Sequence, residues 1–350
     1  MSRIPLGSKV LVTGANGFLA SHVVDQLLSC GFHVRGTVRA EPRGSWLKDY
    51  FSERYGAGRF ELAVVPDMST PDAFLEAMQG CAGVAHVASD LSFSSDAERV
   101  ISSVVGGVEN VLKSVAKTDS VVRFVLTSSS AAALFATPNK EIKITQDSWN
   151  DYSVEQAYKE SDDSPTKGAH VYCASKALGE KAMWKFMEEN KGRLKFEANA
   201  VLPNLVLGKV LGRRYGQSGS TGGVVVDMYA DKGEKREASM AFLKSLPPQW
   251  MVNAGDTARL HVAALTDPTI VNERIFAFGE AYNFNDILQL LRVLRPKHDF
   301  PIDSGDYGRD FTHVVPRERA EEILVKHFER GFKLLGETIE ETLEAVDRGE

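Results

Sequence analysis

Val10-Leu11-Val12-Thr13-Gly14-Ala15-Asn16-Gly17-Phe18-Leu19-Ala20 is the stretch from which the fold can be read. An apolar run ends at Thr13, glycines follow at 14 and 17, and apolar residues at helical spacing begin at once. Glycine lets a backbone turn where a Cβ would obstruct it, and the positive end of the helix that follows attracts a pyrophosphate. The spacing is Gly-x-x-Gly-x-x-Ala, with Ala20 small enough for the place where helix packs on strand. Thr13, Gly14, Asn16, Gly17 and Phe18 are therefore the first candidates for contact with a dinucleotide. Two glycines alone say little; their position between a strand and a helix says more.

Working outward, short apolar runs alternate with helix-like segments, the pattern of a parallel sheet with crossover helices. Strands are predicted at Lys9–Thr13, His33–Val38, Phe60–Val65, Gly83–His86, Arg123–Thr127, Glu197–Leu202 and Arg274–Phe278. Each is nearly continuously apolar, as when both faces of a sheet are covered. Helices are predicted at Ala20–Cys30, Pro71–Met78 and Gly106–Ala116, and in the tail at Glu321–Phe328 and Glu337–Val346. The alternation lapses from Ala136 to His170, which is polar, and from Gly208 to Pro248, where Gly212-Arg213-Arg214 and Gly216–Gly223 read as flexible runs. The Gly212–Gly223 loop is either a lid or a tolerated surface insertion. The fold class is thus α/β, a doubly wound Rossmann-type sheet with a smaller C-terminal lobe. The expected division is 1–204 with about 251–281 for the nucleotide, and 205–250 with 282–350 for substrate.

The end of the second strand indicates which cofactor is held. NAD sites usually place a carboxylate there for the ribose 2′-hydroxyl. Here the strand reads Val34-Arg35-Gly36-Thr37-Val38-Arg39, with Arg43 shortly after. Guanidinium groups suit a 2′-phosphate, so Arg39 and Arg43 point to NADP(H), unless they are merely solvated at a loop. Asp67-Met68 follows the third strand, where Asp67 either meets the adenine amino group or caps the next helix. Ala88 and Ser89, after the fourth strand, are small enough for a cofactor to pass.

The fifth strand ends in Thr127-Ser128-Ser129-Ser130, on the sheet edge where open α/β folds bind ligands. Tyr172-Cys173-Ala174-Ser175-Lys176 opens a later helix whose apolar stripe is Val171, Ala174, Leu178, Ala182 and Phe186. Tyr172 and Lys176 share a face of that helix. A carbonyl that accepts hydride needs a proton on its oxygen, and a phenol beside an ammonium can supply it. Tyr172 is then the general acid, Lys176 tunes it and holds the nicotinamide ribose, and one of three serines binds the substrate oxygen.

These motifs, with Asn199–Gly208, resemble those of the extended short-chain dehydrogenases/reductases. Within that family the chain is similar to fungal NADPH aldehyde and carbonyl reductases, and more distantly to plant dihydroflavonol and cinnamoyl-CoA reductases. The resemblance implies that Ser129 is the catalytic serine and that the stretch from Leu202 through Pro203 to Gly208 passes the nicotinamide. Gln146-Asp147-Ser148-Trp149-Asn150 only partly matches the plant Asp-Glu-Ser-x-Trp stretch, which weakens the case for a flavonoid or coenzyme A ester. The implied activity is reduction of a small-molecule aldehyde or ketone by a monomer or homodimer. Oxidation of a steroid or sugar-nucleotide hydroxyl, or NADP sensing without chemistry, are the rival readings. Phe93, Leu205, Gln249 and Trp250 are the candidate substrate wall, with core packing the alternative for Phe93 and Trp250.

Bulk composition agrees with an ordinary globular enzyme: of 350 residues, 43% are hydrophobic and 25% charged. A net charge of -6 argues against a nucleic-acid or anionic-membrane partner, and no apolar run is long enough to span a bilayer. Cys30, Cys81 and Cys173 show neither paired nor metal-ligand spacing, so no metal is expected and a reducing, cytoplasmic location is the default.

Overall fold

Strands that are apolar along their whole length need cover on both faces, and this chain provides it by alternating strand and helix. The computed structural model describes residues 4–159, 161, 163–303 and 305–350. In chain order the first half gives β1 (Lys9–Val12), α1 (Phe18–Ser29), β2 (His33–Val38), α2 (Ser45–Tyr55), β3 (Phe60–Val64), α3 (Leu75–Met78), β4 (Cys81–His86), α4 (Ala97–Ala116), β5 (Arg123–Thr127), β6 (Glu141–Ile144) and α5 (Asp151–Lys159). The second half gives α6 (Lys167–Glu189), β7 (Glu197–Pro203), β8 (Leu205–Leu207), α7 (Ser220–Ala230), α8 (Glu234–Ser245), β9 (Gln249–Asn253), α9 (Ala254–Thr266), β10 (Arg274–Ala277), β11 (Glu280–Tyr282), α10 (Phe284–Leu294), β12 (Phe311–Val314), α11 (Arg317–Phe328) and α12 (Leu335–Asp347).

Seven parallel strands form the main sheet in the order β10-β7-β5-β4-β1-β2-β3. The order reverses at β1, so the crevice between the ends of β1 and β4 is the topological switch point where such sheets bind ligands. Every residue of β5 and β10 is buried, whereas edge strand β3 is only partly covered. Two small sheets, β11-β9-β8 and β12-β6, are built from the segments after β7 and after β5.

Several boundaries differ from the sequence reading, each for a physical reason. The segment from Pro71 is helical only over Leu75–Met78, because Asp72 takes a left-handed φ of 59° that interrupts the turn before it. Helix α4 begins nine residues before Gly106: the Asp96 side chain accepts from Arg99 N at 3.0 Å and caps it. Tyr172 lies in the second turn of α6 rather than at its opening. Gly216–Gly223, read as flexible, ends inside α7, and residues 234–245 form a further helix. Among the described residues no helix is long and apolar enough to cross a membrane, and no cluster of three metal-ligating side chains is present.

Candidate active site

The phosphate turn is built from the end of β1. Gly14 has φ 65°, and a Cβ there would lie 3.0 Å from that of Ala88, so this position excludes larger residues. Gly14 N donates to Thr37 Oγ1 at 3.2 Å and Ala15 N to Thr37 O at 2.9 Å, fastening the turn to β2. The N–H groups of Asn16 and Phe18 meet no acceptor among the described residues. Helix α1 starts at Phe18 with no acidic residue in its first turn and no side-chain cap from Gly17. An anion is what such a helix end lacks, so these residues fit a pyrophosphate.

Thr13 ties the turn to the neighbouring strand. Its Oγ1 accepts from Val87 N and Ala88 N at 3.0 Å each, so its proton goes to His86 Nδ1, also at 3.0 Å. Burial pushes His86 down to about 3, which keeps the ring neutral with its proton on Nε2. The strand ends at the switch point are thus fixed by one hydroxyl.

From there a cleft runs along the carboxyl edge of the sheet, bordered by Arg39, Met68, His86, Ala88, Ser89 and Lys176. The three arginines near β2 divide cleanly. Arg35 is consumed by Glu61 at 2.8 Å and by the carbonyls of Ala77 and Gln79. Arg43 stands exposed in the short turn Glu41–Arg43, away from the cleft lining. Arg39 borders the cleft and is exposed, with no ion pair among the described residues. Asp67 is exposed and accepts from Ser69 N and Oγ at 2.8 and 2.6 Å, which closes its own turn rather than capping α3. Asn110 donates to the Met68 and Ser69 carbonyls and holds this loop against α4.

At the other end of the cleft the three serines separate. Ser128 Oγ donates to Glu180 Oε2 at 2.6 Å, and Glu180 is in turn paired with Arg274 at 2.6 Å and bonded by Trp184 Nε1 at 3.0 Å. Ser130 enters a short turn of 3-10 helix. Ser129 Oγ alone lies beside Tyr172 Oη, at 3.4 Å. Lys176 Nζ donates to Ser89 Oγ at 3.0 Å and sits 5.9 Å from the centre of the Tyr172 ring. Thr127 Oγ1 donates to His261 Nε2 at 2.7 Å, because His261 Nδ1 is committed to Thr257 O at 2.8 Å; His261 is a strut. Glu180 and Arg274 carried no motif in the sequence. Only folding brings residues 94 apart into contact.

The protonation states correct one expectation. A neighbouring ammonium was expected to lower the phenol of Tyr172, yet burial dominates and pushes it up to about 12. The same burial brings Lys176 down to about 8. Near neutral pH the phenol therefore carries its proton and the lysine is still mostly charged.

Phe93 lies over this constellation. Its ring centre is 4.8 Å from that of Tyr172, the residue is 52% exposed, and its φ is 50°. An exposed ring held in a left-handed backbone is not core packing. Trp250 differs: it packs edge-on against Phe278 at 6.0 Å with the Arg317 guanidinium 5.8 Å from its ring, so we assign it to packing. Gln249 pairs across the strands with Tyr282, and Leu205, partly buried, joins the cluster around Leu207 and Met251. Pro203 is buried at the end of β7. None of Leu205, Gln249 and Trp250 has a described contact with Tyr172.

Residues 10–283 match the model of the NAD dependent epimerase/dehydratase family. The chain belongs to that family. It is 43% identical over 310 residues to "Aldehyde reductase 2" of Sporidiobolus salmonicolor, covering 88% of each chain. It is 43% identical to "Ketoreductase adrE" of Penicillium roqueforti, covering 93% of this chain and 92% of that one. Among solved structures, yeast methylglyoxal/isovaleraldehyde reductase Gre2 complexed with NADPH superposes with a TM-score of 0.79 at 28% identity, over 97% of this chain and 99% of that one.

Proposed function

We propose that this protein reduces the carbonyl of an aldehyde or ketone to an alcohol with NADPH, using Tyr172 as the general acid. The observation that carries this reading is Ser129 Oγ 3.4 Å from Tyr172 Oη, with Lys176 Nζ 5.9 Å from the centre of the Tyr172 ring and lining, with Arg39, the cleft along the sheet edge. Relatives named as aldehyde and keto reductases support the same reaction type.

NADPH supplies the hydride that reaches the carbonyl carbon. Ser129 and Tyr172 donate hydrogen bonds to the carbonyl oxygen, and the Tyr172 proton passes to it as charge develops there. The phenolate left behind is stabilised by the Lys176 ammonium, which also holds the ribose hydroxyls together with Ser89. A phenol raised to about 12 is a weak acid at rest, so this charge stabilisation in the transition state is what makes it serviceable. With NADPH bound, Arg39 would pair with the 2′-phosphate, Asp67 and Met68 would meet the adenine, and the turn from Asn16 to Phe18 would hold the pyrophosphate. In this reading 1–204 with 251–281 hold the cofactor, and 205–250 with 282–350 shape the substrate side; Phe93 is its aromatic wall.

The test follows oxidation of NADPH, and separately NADH, with a panel of aldehydes, aryl ketones, keto esters and dihydroflavonols. Turnover of NADPH with some of these carbonyls supports the reading. Tight NADPH binding with silence across the panel would remove it.

A further inference from the structure

The Gly-rich loop before α7 reaches back to the phosphate turn through one side chain. Gln217 Nε2 donates to Asn16 O and to Ser21 Oγ, both at 3.1 Å, across sequence separations of 201 and 196 residues. Its Oε1 accepts from Gly212 N at 2.9 Å, and its own N–H closes on Gly212 O at 3.1 Å. Ser21 Oγ already gives its proton to Phe18 O at 2.8 Å, so toward Gln217 it can only accept. The three partners therefore fix the amide in one orientation, with every donor and one acceptor site used.

The bond to Asn16 O matters because of the peptide it holds. The Gly17 N–H of the same peptide unit donates to Gly14 O at 2.8 Å. Both polar groups of the Asn16–Gly17 peptide are thus tied, one inside the turn and one to a segment beyond the main sheet. A change in ψ of Asn16 or φ of Gly17 turns the two flanking peptides, which carry the Asn16 and Phe18 N–H groups, relative to each other. Among the described residues those two groups meet no acceptor, which leaves them available to a pyrophosphate. Packing reinforces the junction, for Phe18 shares a small apolar cluster with Val210 and Val226.

We propose that Gln217 is a positioning residue that pre-organises the phosphate turn and couples cofactor binding to closure of residues 212–223. Pre-organisation lowers the ordering cost of binding, so its loss appears as affinity rather than as chemistry. The clamp acts on the turn and not on the ribose, so it is blind to the 2′-phosphate. This rests on the cleft being a nicotinamide dinucleotide site.

The experiment compares the full-length enzyme with Gln217→Met and Gln217→Glu, reading Kd for NADPH and for NADH, kcat at saturation, and hydrogen exchange of residues 212–223. Gln217→Met should weaken both cofactors by about tenfold, the scale of a lost hydrogen bond, with the NADPH:NADH ratio and kcat kept within about twofold. Gln217→Glu loses both donors and adds a negative charge near the bound phosphates, so it should be weaker still. In the wild type, NADPH should slow exchange in 212–223, and in Gln217→Met it should not. Unchanged affinity in Gln217→Met, a loss confined to NADPH, or a fall in kcat matching the fall in melting temperature would each overturn the proposal. The wild-type exchange measurement stands even if neither variant folds: no slowing there refutes the coupling. A wild type that binds neither cofactor would instead sink the reading of the cleft.

Discussion

Lys176, on the cleft, and Ser129, with the Tyr172 hydroxyl beside it, are buried, whereas Arg39, on the same cleft, stands in solvent, as do Asp67 and Arg43 off its lining. The buried end works by geometry and by the protonation states that burial imposes, about 12 for the phenol and about 8 for the lysine. On the proposed reading the exposed end works by charge, through Arg39, which has no ion pair among the described residues. Chemistry and cofactor choice are therefore separable, and a substitution at one end should leave the other's observable untouched.

The largest expected effect separates the two outright. Tyr172→Phe removes the proton donor but keeps the ring against Phe93, so turnover should fall by about 10²–10⁴. NADPH affinity, measured by fluorescence titration, should hold within about twofold, because the phenol takes no part in the phosphate contacts. Substantial residual turnover would strip Tyr172 of its role as acid. A matching loss of affinity would show that the two ends are not independent.

Next in size is Arg39→Ala. A charge-assisted contact to a 2′-phosphate is worth about 1.5–3 kcal/mol, so KM for NADPH should rise by roughly 10- to 100-fold while kcat stays near its original value. NADH, which lacks that phosphate, should be nearly unaffected. Equal weakening of both cofactors would reassign the selectivity to another group, with Arg43 next in line.

How much of this division was legible in the sequence depends on how far apart the partners lie. The seven main strands could be read because a parallel strand covered on both faces is nearly continuously apolar; β5 and β10, which are buried throughout, depart from this only at Arg123, Thr127 and Arg274. Helix α7 could not be, since Gly222, Gly223 and three consecutive valines are poor helix formers; packing of Val224, Val225 and Met228 in one cluster and Val226 beside Phe18 in another overrides that propensity. Tyr172 and Lys176 were visible as a helical pair. The choice of Ser129 among three serines could be inferred only from a resemblance until the fold turned Ser128 toward Glu180. Gln217 gave no signal, because its partners are 196 and 201 residues away.

A pH profile sharpens the buried end with no mutation. Lys176 is lowered by burial to about 8, so its ammonium is present below that pH and lost above it. The phenol, pushed up to about 12, keeps its proton throughout this window. Reduction should therefore be level below pH about 8 and fall by about tenfold for each unit above it, as expected for one essential protonated group. A profile flat to pH 10 would mean that the lysine charge is dispensable.

The smallest effect concerns how Phe93 is held over the site. Gly168, in the first turn of α6, lies so close to this segment that a Cβ there would come within 2.3 Å of the Phe93 carbonyl oxygen. The obstructing atom is backbone, so Gly168→Ala must push residues 92–94 outward, and the left-handed φ of 50° at Phe93 cannot be kept by rotating a side chain alone. The ring should then leave its place 4.8 Å from Tyr172. Since the phenol, the ammonium and Ser129 stay where they are, kcat should change little. KM for an aryl carbonyl should rise by about three- to tenfold, on the scale of one aromatic contact, and KM for a short aliphatic aldehyde should rise less. A uniform rise across both classes would show that Phe93 only closes the site against water. A drop in kcat would show that the ring helps place the phenol itself, which would make the aromatic wall part of the buried end and not an accessory to it.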